Sequence, residues 1–288
     1  MRFVTCRLPD GMEDPAILSQ DGTQVWPLSW LGLSYETLSD AIPFLTPQVR
    51  FGLQLAISGI PALPVEAVTL QSPIPCPAQD VVCLGINYMA HSDEAEKYSA
   101  DAFSTQHQDA IYFSKRVSRA VPDGGFIEAH TDLVQKLDYE CELAVVLGKD
   151  AKDVPAGQTK DYVFGYTILN DVSARDVQTA HKQWYFGKSL DGFTPTVSYT
   201  HLDVYKRQGQ QSPGTVARQG KAGLFPHLPH KAVLRAFKPL KFAAHAHPFV
   251  VVVVVLLFDA VQHQVGVLPL QIAKGGAEDG KFRVHKCA

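Results

Sequence analysis

The chain has 288 residues, of which 46% are hydrophobic and 19% charged. That is enough for one large domain, or for one domain with a smaller companion, and it excludes a disordered polypeptide. A net charge of −3 argues against nucleic acid as the main partner. The opening MRFVTCRLPDG has no apolar signal core, and the longest apolar run, residues 249–258, is too short for a membrane-spanning helix. Five cysteines (Cys6, Cys76, Cys83, Cys141 and Cys287) without a CxxC pair fit a reducing cytoplasm. The expectation is a cytoplasmic protein with neither a nucleic-acid nor a membrane partner.

Residues 1–75 read as a small leading unit with its linker. A strand is predicted over 2–8, and a hairpin over 16–26 turning at Asp21-Gly22. Helical spacing over 35–56 is interrupted at Pro43 and Pro47. The proline-rich 61–77 reads as an extended linker.

From residue 80 the texture changes. Residues 81–85 form a short buried strand leading towards His91 and Glu94, which share one face of a helical turn at i, i+3. A histidine held by a carboxylate is a candidate general base; the alternative is an ordinary surface helix, given Asp93 and Glu96 beside them. Residues 110–115 read as a strand ending in Lys115, and 121–125 as a loop. The stretch DYECELAVVLG, 138–148, reads as a strand carrying Glu140, Glu142, Ala144 and Val146 on one face. Cys141, Leu143, Val145 and Leu147 face the other way. Two buried glutamates at i, i+2 repel unless a proton or cation intervenes, and a hard divalent cation suits oxygen ligands. The alternative is a half-exposed strand with a solvated acidic face. A further strand over 161–169 closes at Asn170-Asp171. Ser173 and Asp176 resemble a capping box for a helix starting at Ala174. Asp171, at that junction, could cap or bind metal. Lys188 falls in a predicted loop, Gly187-Lys188-Ser189.

The pieces NYMAHSDE (87–94), YFSK (112–115), DYECELAVVLGKDAKDV (138–154), YVFGYTILNDVSARDVQ (162–178) and KQWYFGKSLDGFTP (182–195) together resemble the fumarylacetoacetate hydrolase family. The leading unit resembles the small α+β N-terminal domain of many bacterial members. The resemblance implies a mixed, mainly β catalytic domain of β-sandwich or β-roll type, usually dimeric, acting on small oxo acids. It implies Mg²⁺ or Mn²⁺ held by Glu140, Glu142 and Asp171. His91 and Glu94 would form the base dyad, Lys188 a catalytic group near substrate, and Arg175, Gln178 and Lys115 substrate-binding groups. Some members add a carboxylate seven residues before the histidine; that position is Leu84 here. The implied chemistry is a metal-stabilised enolate of a 2-oxo or 1,3-dioxo acid, serving C–C hydrolysis, decarboxylation or isomerisation in catabolism. A non-catalytic binder of small dicarboxylates is the competing reading.

The resemblance stops near residue 195, so the catalytic portion is placed at 76–196. Residues 197–208, VSYTHLDVYKRQ, resemble the translation of two transposase end sequences joined head to head. Beyond them, 209–288 hold ten Lys or Arg against three Asp or Glu, whereas 1–208 hold 16 against 26. The tail has no Tyr, Trp, Asn or Met, and its pairs His227/His230 and His245/His247 lack a third ligand cluster. The expectation is a foreign tail over 209–288, an incomplete sheet over 80–195, few tail contacts near Glu140, Glu142 or Asp171, and an inactive chain.

Overall fold

The computed structural model describes residues 1–85, 111–201, 254–257 and 281–283. The N-terminal strands β1 (Arg2–Arg7), β2 (Glu13–Leu18) and β3 (Gln24–Pro27) form an antiparallel meander with Phe3 opposite Ile17 and Ile17 opposite Trp26. The β2–β3 turn is the predicted one. Ser19 Oγ accepts the Thr23 and Gln24 amides, and Gly22 takes a φ of 78°, which a side chain would resist. Side chains alternate between two cores, as the strand period requires. Phe3, Ile17 and Trp26 lie in one cluster, and Val4, Cys6, Ala16, Leu18 and Val25 in the other. The first cluster is covered by α1 (Leu38–Ala41) and α2 (Pro47–Ala56). Thr37 and Asp40 make a reciprocal capping box on α1, and the two helices are separated at the predicted prolines. Residues 61–77 are more than a linker. They carry β4 (Leu63–Pro64) and β5 (Thr69–Leu70), which pair with β3 and β1.

The second part begins with the hairpin-like pair β6 (Val81–Gly85) and β7 (Ile111–Lys115). There follow β8 (Phe126–Glu128), β9 (Leu137–Asp138), β10 (Cys141–Leu147), β11 (Val163–Asn170) and β12 (Ser173–Ala174). Two short helices, α3 (Arg175–Ala180) and α4 (Trp184–Lys188), lead to β13 (Thr200–His201). With β14 (Val254–Leu257), most strands join one eleven-stranded sheet in the order β4-β3-β2-β1-β13-β11-β10-β14-β6-β7, with β5 on β1. The leading unit shares this sheet through β13, and it shares a core with Val146 and Phe164.

Three expectations change. The strand predicted over 138–148 is broken at Tyr139-Glu140. In β10 every residue from Glu142 to Leu147 is buried, so the solvated acidic face is not what forms. Ser173 does not cap a helix at Ala174: α3 has no side-chain cap, and Asp176 instead accepts the Gln135 and Lys136 amides. Gly187 and Lys188 sit on α4 rather than in a loop.

The fourth change concerns the tail. Strand β14 (Val254–Leu257) lies between β10 and β6, antiparallel to the first and parallel to the second, with Leu257 opposite Glu142. Strand β15 (Lys281–Arg283) pairs with β8. The expectation of few tail contacts near Glu142 is therefore wrong at the level of the backbone. A run apolar at every position has no preferred face, and a central place with neighbours on both edges suits it. Thr200 and His201, inside the adapter-like string, likewise pair with β1. No helix among the described residues is long and apolar enough to cross a membrane.

Candidate metal centre

Antiparallel pairing of β10 with β11 sets Glu142 opposite Leu169 and Cys141 opposite Asn170. Just before β10, the Glu140 amide donates to Asn170 Oδ1 at 3.1 Å. Just after β11, the Asp171 amide donates to the Glu140 carbonyl at 2.8 Å. These two bonds bring the carboxylates of Glu140, Glu142 and Asp171 together. Each offers an oxygen within 4.8 Å of the others, and all three are buried. The three predicted ligands thus converge, although Glu140 lies outside the strand expected to carry it.

Three cations face the three carboxylates. Lys115, at the end of β7, donates to Asp171 Oδ1 at 2.6 Å and to the Val172 carbonyl at 3.1 Å. Lys188, at the end of α4, donates to Asp171 Oδ2 at 2.5 Å and to Glu140 Oε2 at 3.0 Å. Arg175 pairs with the other Glu140 oxygen and with Asp138 Oδ2, to which its Nε donates at 2.9 Å. Both lysines are buried. Arg175 also donates to Gln178 Oε1 at 3.3 Å, so the two predicted substrate groups of α3 touch. Lys115, predicted to bind substrate, has no exposed surface and spends its ammonium on Asp171 and a backbone carbonyl.

The electrostatics are uneven. Glu142 Oε2 is buried without a hydrogen-bond partner among the described residues. Burial, then the charges of Asp171 and Glu140, push the Glu142 carboxyl well above the carboxylate range. For Asp171 burial also pushes upward, but Lys115 and Lys188 outweigh it and hold the carboxyl low. Burial works against the Lys188 charge, yet Asp171, Glu140 and Glu142 win and raise its pKa. An orphaned buried oxygen beside two further carboxylates is a donor set that fits a hard divalent cation. Leu84, the position at which the resemblance allows a further carboxylate, is buried and apolar.

Close packing fixes the lysine-bearing helix. A Cβ on Gly187 would meet Gln178 N at 2.7 Å and Ala174 O at 2.9 Å, so α4 can lie this close to α3 only with glycine there. Phe113 meets Trp184 edge-on at 5.2 Å, and Lys188 Nζ lies 5.0 Å from the Phe113 ring centre. The predicted dyad His91 and Glu94 lies outside the described residues, as do the paired histidines of the tail. Asp138 and Asn170 were missed as site residues. Asp138 precedes Glu140 by two, the same spacing that singled out Glu142, so alternation pointed to it; Asn170 left only its adjacency to Asp171.

Residues 80–202 match the family model described as fumarylacetoacetate hydrolase, C-terminal. The chain is 40% identical over 131 residues to oxaloacetate tautomerase YisK of Bacillus subtilis, covering 46% of this chain and 42% of that one. It is similar in structure to a fumarylacetoacetate hydrolase from psychrophilic Exiguobacterium antarcticum, with a TM-score of 0.57 and 30% identity over 70% of this chain and 66% of that one. A maleylpyruvate hydrolase from Sphingobium sp. SYK-6, solved in complex with manganese(II) and pyruvate, shares the fold, with a TM-score of 0.52 and 22% identity over 70% and 67% of the two chains. The chain thus spans about two fifths of this curated relative's length. Residues 80–202, the stretch that matches the fumarylacetoacetate hydrolase family model, contain the carboxylate triad and both lysines that grip it.

Proposed function

We propose that the chain is a metal-dependent enzyme of 2-oxo or 1,3-dioxo acids, cytoplasmic and dimeric, working through an enolate. The observation that carries this reading is the buried triad Glu140, Glu142 and Asp171 with the unpartnered Glu142 oxygen. These residues would hold Mg²⁺ or Mn²⁺, which when bound supplies Lewis-acid stabilisation of a developing enolate oxygen. Arg175 and Gln178 sit beside Glu140 on α3, where they would orient a substrate carboxylate, and Lys188 supplies a second positive group. His91, steadied by Glu94, would take the proton or activate water. Relatives named as an oxaloacetate tautomerase and a fumarylacetoacetate hydrolase differ in reaction but both carry oxo acids in their names, which supports the substrate class above any one outcome.

The test is turnover of oxaloacetate and acylpyruvates by the chelator-treated chain, with and without added Mn²⁺. Mn²⁺-dependent enol–keto conversion or cleavage is expected. Tight oxalate binding without turnover of any oxo acid would favour the dicarboxylate binder instead.

A second reading rests on the string VSYTHLDVYKRQ and the charge reversal after it: residues 209–288 are foreign to the family, and the literal chain is inactive although its triad is intact. Sequencing genomic DNA across codons 190–215 distinguishes the two. A family frame running on without the string supports a foreign tail, and an uninterrupted match to the present chain removes that reading.

A further inference from the structure

Resting on the metal reading above, we infer that the Lys188 ammonium is an internal counter-ion that competes with the divalent cation for its ligands and is displaced when the cation binds. Lys188 Nζ bridges Glu140 Oε2 at 3.0 Å and Asp171 Oδ2 at 2.5 Å, two of the three carboxylates of the candidate centre. A divalent cation drawing on the same oxygens would face a like charge in direct contact, in a buried setting where screening is weak.

Lys115 and Lys188 each hold one oxygen of Asp171, but they differ in what remains after exchange. Lys115 also donates to the Val172 carbonyl at 3.1 Å, which is not among the three proposed ligands, so it stays and keeps Asp171 aimed. Among the described residues, both hydrogen-bond acceptors of Lys188 are proposed ligands, so the metal would take both. The Phe113 ring, 5.0 Å from Nζ, offers the displaced ammonium a face to rest on. Three cations already pair with Asp171 and Glu140, Arg175 pairing with Asp138 as well, and a divalent cation adds two positive charges. Lys188 is thus the group free to turn towards an anionic substrate once metal is in place, and Lys115 is a positioning residue that acts through Asp171.

The test is calorimetric titration with Mn²⁺ alone, on the full chain and on Lys188→Met, Lys188→Gln and Lys115→Met. Lys188→Met and Lys188→Gln should bind Mn²⁺ at least about tenfold more tightly than the parent, and Lys115→Met more weakly. A parent that binds Mn²⁺ while both Lys188 variants bind it equally or less tightly overturns the exchange and leaves the metal reading standing. If neither the parent nor any variant binds Mn²⁺, the metal reading falls and the exchange with it. Should both Lys188 variants fail to fold, amine acylation of the parent followed by mass spectrometry decides. Labelling of Lys188 that rises with Mn²⁺ while Lys115 stays protected supports the exchange, and unchanged labelling of Lys188 overturns it.

Discussion

The Asp171 amide donates to the Glu140 carbonyl at 2.8 Å, so the two carboxylates at the heart of the site are joined through their backbones before any ion is considered. The site is therefore a product of the β10–β11 register. Side-chain changes within it should alter charge balance without dismantling the sheet.

Lys115→Met should be strongly destabilising. It leaves Asp171 buried with one cation fewer, and breaking a buried pair costs about 3–5 kcal/mol. Asp171 has a lowered pKa in the folded chain, so its stabilising contribution is present above its unfolded value of about 3.9 and is lost as pH falls through the folded value. Urea denaturation should accordingly show a wide gap between parent and variant at pH 7 that narrows below about pH 3.9. A gap independent of pH would mean that Lys115 matters for packing alone.

Glu142→Gln should stabilise the metal-free chain at neutral pH. The folded carboxyl titrates well above its ordinary value because of burial and the neighbouring Asp171 and Glu140. Its contribution is complete below the unfolded value of about 4.3 and is lost as pH rises towards the folded one. Melting temperatures in chelator should diverge in favour of the variant from about pH 4.3 upwards. Parallel curves would show that Glu142 is compensated by a group other than the three cations described.

His91→Ala should lower hydrolytic turnover about a hundredfold or more, the usual contribution of a general base, while Mn²⁺ binding persists. Steady-state kinetics alongside titration would check this. Unchanged turnover would place the base elsewhere, and loss of Mn²⁺ binding would show that the segment helps build the metal centre.

Much of this was legible in the sequence, for identifiable reasons. A strand signal located β1, the Asp21-Gly22 turn signal located the β2–β3 hairpin, and period-two alternation singled out Glu142. The two prolines marked the break between α1 and α2. What the sequence concealed was non-local. Nothing near Lys115 indicates that its partner is Asp171, 56 residues away. Ser173 and Asp176 have the spacing of a capping box, but Ser173 Oγ donates to the Asp171 carbonyl and Asp176 serves the backbone at 135–136. A uniformly apolar run such as 250–255 gives no register, so its place beside β10 was not readable. The residues 61–77 looked like a linker because prolines dominate them, although short edge strands tolerate proline.

If Glu140, Glu142 and Asp171 hold a divalent cation, Mn²⁺ titration should show measurable binding to the parent chain and at least about tenfold weaker binding to Glu142→Gln, since one charged oxygen ligand is lost. Equal affinities in the two proteins would contradict that assignment.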